Sequence, residues 1–128
     1  MRRVVITGLG TVNALGVSVP EFWPKILAGE NGVGTISKFD TSGHTARIEG
    51  AVKWNVDDHF NGPDQRKLDP FTMFALVATK EALADAGYDD SNELSVEERE
   101  RFGVILGTGI GGITEILEQH LVFLDRGA

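Results

Sequence analysis

Two rhythms of apolar and polar residues run along this chain. Residues 3–7 and 102–106 are short, mostly apolar runs that break into glycine. The first opens into Gly8-Leu9-Gly10, the second into Gly107-Thr108-Gly109-Ile110-Gly111-Gly112. Runs of this length bounded by glycine predict buried strands that leave through tight turns. The second rhythm is helical. Phe22, Trp23, Ile26 and Leu27 recur at spacings of three and four, after Ser18 as a cap and Val19-Pro20 as a start. Pro24 fits that helix only in or near its first turn, and Gly29 ends it. Asp69-Pro70 predicts a stronger start, a capping carboxylate followed by proline, for a helix reaching Ala86 and stopping at Gly87. Ala75, Ala78, Ala82 and Ala86 form a stripe of small residues on it, open to close approach by another element. Phe71, Phe74 and Leu83 flank the stripe, so burial on more than one side is expected.

The intervening segment is less regular. It predicts a short extended edge at residues 48–52 and a short helix at residues 56–60. Ser95 or Asn92 can cap a short acidic helix before Phe102. Ile113, Ile116, Leu117, His120, Leu121 and Leu124 mark a last helix closing near Gly127. The order is strand, helix, irregular segment, helix, strand, helix, which is an α/β pattern with a parallel sheet. No strand follows the last helix, and that order is expected of a truncated chain.

Composition narrows the chemistry. The 128 residues suit one domain or part of one, and 41% apolar content supports a packed core. No apolar run approaches a membrane span, and residues 4–6 are too short for a signal-peptide core, so a soluble, cytoplasmic chain is expected. There is no cysteine, which removes disulfides, thiolate metal sites and cysteine nucleophiles. The net charge of −7 argues against nonspecific nucleic-acid binding, which needs a basic surface. Seven of the acids fall between Asp85 and Glu100, a charge run that reads as a solvated helix end and loop.

Gly107, Gly109 and Gly112 satisfy G-x-G-x-x-G, the dinucleotide-binding signature, between a predicted strand and helix. The acidic ribose reader expected about twenty residues on would fall beyond Ala128. A nucleotide-binding oxidoreductase half-domain therefore stays open on residue types alone. The competing reading is a strand-to-helix turn that needs unusual dihedrals. No Lys-Ser or Lys-Thr follows either loop, which excludes a P-loop. His44, His59 and His120 lack metal-ligand spacing, and no G-x-S-x-G elbow presents a serine. Ile110 stands out, because glycines on both sides leave it without cover from its own loop. It must face a neighbouring chain, a pocket or water.

Three segments in order, RRVVITGLG (2–10), LDPFTMFALVATKEALADAG (68–87) and FGVILGTGIGG (102–112), resemble the opening third of β-ketoacyl-[acyl carrier protein] synthases of the elongating type. Ile26-Leu27-Ala28-Gly29 with Gly32, Phe39-Asp40, and Gln65-Arg66-Lys67-Leu68-Asp69 extend the resemblance over nearly the whole chain. It implies a thiolase-like fold, a layered α/β/α/β/α sandwich of two similar halves in a homodimer. It also implies decarboxylating acyl transfer, with a cysteine that carries the acyl chain and two histidines that assist loss of CO2. Those three residues lie further along in the family, so no catalytic residue is assigned here and the chain alone is expected to be inactive. No metal or cofactor is expected. In the family, the position of Ile110 lines the acyl pocket near the dimer interface. The positions of Arg66 and Lys67 help dock acidic acyl carrier protein. Pro63 stands where relatives often carry another lysine. A non-catalytic relative, the chain-length factor, shares the fold and stays open as an alternative.

Overall fold

A computed structural model describes residues 3–88 and 94–127. Its elements run α1 (Val19–Leu27), β1 (Gly34–Thr35), β2 (Ile48–Glu49), a 3-10 turn (Val56–Asp58), α2 (Gly62–Gln65), α3 (Pro70–Asp85), α4 (Val96–Glu100) and α5 (Ile113–Arg126). Helices α1, α3, α4 and α5 begin where the sequence places them. Ser18 accepts from the Glu21 amide at the start of α1. Ser95 and Glu98 close a reciprocal capping box on α4. Asn92 lies outside the described residues. Pro24 sits in the second turn of α1, further in than its missing donor suggests, and the helix continues past it.

The sheet departs from expectation. Residues 3–7 and 102–106 form no strand. Val4 is 94% exposed and Ile105 97% exposed, so neither run is buried. The only ladder among the described residues is antiparallel, pairing Gly34 with Glu49 and Thr35 with Ile48. The physical reason is direct: a strand needs a neighbour to take its backbone groups, and no other described segment pairs with either run. The extended edge expected at residues 48–52 contributes β2, and the short helix expected at residues 56–60 is a 3-10 helix over Val56–Asp58. Helix α2 was not expected. Its cap, Asn61, accepts from the Asp64 amide, and Pro63 sits in its first turn.

The stripe on α3 does receive an element. The glycine loop after residues 3–7 lies directly on it. A Cβ added at Gly8 would stand 2.1 Å from the Ala82 carbonyl oxygen, and one at Gly10 would stand 1.9 Å from the Ala78 carbonyl oxygen. Only glycine permits that approach. Side chains of the same helix then fasten the loop. The Leu9 amide donates to Asp85 at 2.9 Å, and the Thr11 amide donates to Glu81 at 2.9 Å. The other oxygen of Glu81 accepts from the Val19 amide at 2.7 Å, which ties the start of α1 to the same point. On the neighbouring face, Trp54 packs against Phe74 with ring centroids 5.0 Å apart, and against His59 and Phe60. Met73, 7% exposed, is the one buried apolar residue among the described residues. Burial on several sides of α3 is therefore only partly realised: Leu76 and Leu83 remain exposed.

These contacts set a stability test. Gly8→Ala or Gly10→Ala should destabilise the chain by about 3 kcal/mol, since the added methyl meets backbone rather than a movable side chain. Glu81→Ala should cost about 2 kcal/mol by orphaning two donors. Gly43→Ala, with open space around it, should stay within about 0.5 kcal/mol. Urea unfolding of the four variants measures the contrast. Equal midpoints would mean the loop does not rest on α3.

Candidate functional site

The second glycine loop is organised by local bonds. Gly111 has φ of +83°, a left-handed conformation that bends the chain into α5. Its amide donates to the Thr108 hydroxyl at 3.0 Å. Thr108 thus holds the loop, and Ile110, between two glycines, stays 70% exposed. The expectation that its own loop cannot cover it holds.

Asp69 links this loop to α3. The sequence assigns it as the cap of α3, yet its side chain makes no cap bond there. Its Oδ2 instead accepts from the Glu115 amide, in the first turn of α5, at 3.2 Å. Pro70 lowers the need at α3, because it brings no amide to the first turn. The first turn of α5 has free donors and no side-chain cap from Gly112. The carboxylate goes where donors are unmet. A Cβ at Gly112 would lie 2.9 Å from the same oxygen, so this glycine allows the two helix starts to meet.

Arg66 and Lys67 follow α2 at that junction, both exposed. They line a cavity of about 310 Å³ with Asp69, Met73, Glu115 and Glu118. The basic pair and the second glycine loop are thus brought together through Asp69, although Ile110 itself does not line this cavity. Sequence reasoning missed the two glutamates of α5, which lie about fifty residues from the basic pair and meet it only through the fold. No ion pair forms across the cavity among the described residues.

Other candidate chemistry stays dispersed. His44 meets the edge of Phe39 at 5.5 Å, His59 stacks on Trp54 at 5.2 Å, and His120 is exposed on α5. No cluster of His, Cys, Asp and Glu able to hold a metal occurs among the described residues. The depressed carboxyls lie away from the loop. The Ser42 amide, then its hydroxyl, holds Asp40 below the usual aspartate range. The Ser95 amide, then its hydroxyl, does the same for Glu98. No described helix is long and apolar enough to cross a membrane.

A family profile described as Beta-ketoacyl synthase, N-terminal domain, matches residues 1–126. The chain belongs to this family, and its fold is the thiolase-like one. It is 35% identical over 127 residues to 3-oxoacyl-[acyl-carrier-protein] synthase 2 of Staphylococcus aureus, covering 98% of this chain and 30% of that protein. The same figures hold for the protein of that name from Synechocystis sp.. Among solved structures it resembles the ishigamide ketosynthase/chain length factor, with a TM-score of 0.65 and 28% identity, over 94% of this chain and 30% of that one. The chain thus spans about 30% of the length of these relatives. The G-x-G-x-x-G match falls inside the family profile. No separate nucleotide-binding reading is needed for it.

The role of Asp69 can be checked. Asp69→Ala should cost about 1 kcal/mol, the value of a lost cap. The loss should appear as faster amide exchange in the first turn of α5, with the start of α3 unchanged. Fraying of α3 instead would restore the expected cap.

Proposed function

We propose that this chain is the N-terminal part of a cytoplasmic, homodimeric condensing enzyme of fatty-acid elongation. The whole protein would join an acyl thioester to malonyl-acyl carrier protein with loss of CO2. A cysteine thiolate outside these residues takes the acyl group as a thioester. Loss of CO2 from the malonyl group leaves a carbanion. It attacks the acyl carbonyl and expels the thiolate, and the β-ketoacyl chain remains on the carrier protein. The observation that carries this reading is the family match over residues 1–126, together with the names of the relatives. The chain has no cysteine, so no acyl thioester can form on it alone.

In this reading the residues present supply recognition. Arg66 and Lys67 are exposed cations on a chain of net charge −7. A local basic patch steers an acidic partner against net repulsion, and acyl carrier protein is that partner. Ile110 forms part of the wall that meets the acyl tail. An exposed isoleucine between glycines suits an apolar companion better than water. A second reading is a non-catalytic chain-length factor, since the solved structure this chain resembles is described as both a ketosynthase and a chain length factor.

A chimera tests the proposal. This chain replaces the matched 127 residues of the Staphylococcus aureus 3-oxoacyl-[acyl-carrier-protein] synthase 2, and condensation is followed by release of labelled CO2. The chimera should condense. With Ile110→Trp it should keep short primers and lose long ones, through a fall in kcat/KM that grows with chain length. A folded chimera that releases no CO2 would overturn the assignment of these residues to a condensing enzyme. A uniform fall across chain lengths would make Ile110 a packing residue.

A further inference from the structure

The cavity beside the basic pair carries both signs of charge. Arg66 and Lys67 line one part of it, and Asp69, Glu115 and Glu118 line another. Asp69 is committed to the Glu115 amide, and the Glu115 side chain accepts from Gln119 at 2.8 Å. The Glu118 side chain has no hydrogen-bond or ion-pair partner among the described residues. Its carboxylate is exposed and spends none of its charge on a neighbour.

We propose that Glu118 is an internal competitor that tempers the docking of an acidic partner at Arg66 and Lys67. This rests on the carrier-protein reading of the basic pair given above. The physics is that of two like charges approaching one cationic site. Glu118 lines the same cavity of about 310 Å³ as the two cations, and fields of charges closer than the Debye length of about 8 Å at physiological salt overlap. Because no ion pair closes the cavity, the cations stay open to a partner. They present a reduced potential. A strongly acidic surface overcomes that reduction and a weakly acidic one does not, which makes Glu118 a determinant of partner selectivity.

The test is association of the 128-residue chain with purified holo-acyl carrier protein, by stopped flow, at low and high salt. Glu118→Gln should raise the association rate about twofold at low ionic strength, and Glu118→Lys about fivefold, with little change in dissociation. Both gains should shrink at high salt. Glu30→Gln makes the same change in net charge at a different cavity, beside Lys53, and sets the baseline. Arg66→Gln/Lys67→Gln measures the docking reading separately. Slower association of that double variant, with Glu118→Gln faster than Glu30→Gln, supports both readings. Slower association with Glu118→Gln equal to Glu30→Gln overturns the competitor and leaves docking intact. An unchanged rate for the double variant overturns docking, and the competitor with it.

Discussion

Everything described here hangs on one close approach, the loop Gly8-Leu9-Gly10 pressed onto the small-residue face of α3. Two constraints meet there. Backbone can touch backbone only if neither side carries a branch, which requires glycine on the loop and alanine on the helix. A polar chain lying on an apolar helix also needs partners for its amides. Glu81 and Asp85 supply them from the same helix, to Leu9, Thr11 and Val19. Glu81 holds the loop and the first helix with one carboxylate. The start of α1 is thereby tied to α3 through that single side chain.

The junction of α3 with α5 repeats the logic at lower cost. Gly112 permits the approach, and one carboxylate, that of Asp69, meets an amide of the other element. Both glycine loops are therefore anchored on α3, one along its side and one at its start. The basic pair leads into that start. The exposed basic pair and the loop that carries Ile110 thus lie at the two ends of contacts made by one residue, Asp69.

Much of this was legible in the residues. Ser18, Ser95 and Pro70 announce helix starts because capping is local chemistry. The alanine stripe announces a close neighbour because spacing fixes a face. The strands at residues 3–7 and 102–106 were not delivered, because a strand is completed by its neighbours rather than by its own sequence. Val4 and Ile105 carry the apolar pattern of buried strands and stand exposed. Asp69 was misassigned for a related reason. Its type and position say that it caps a helix, but which helix depends on a contact across 46 residues. Glu115 and Glu118 were invisible as neighbours of Arg66 and Lys67 on the same grounds. The family resemblance rested on motif order and does not depend on these contacts.

The most direct test of the account is amide hydrogen exchange at Leu9, Thr11 and Val19. If α3 holds the loop through Asp85 and Glu81, Thr11 and Val19 should be protected together and open in one cooperative step. Leu9, on a more exposed carboxylate, should follow with lower protection. Residues 4–6, exposed and outside any strand, should exchange near the rate of a free chain. Unprotected exchange at Thr11 and Val19 would contradict the central claim that the first glycine loop is seated on α3.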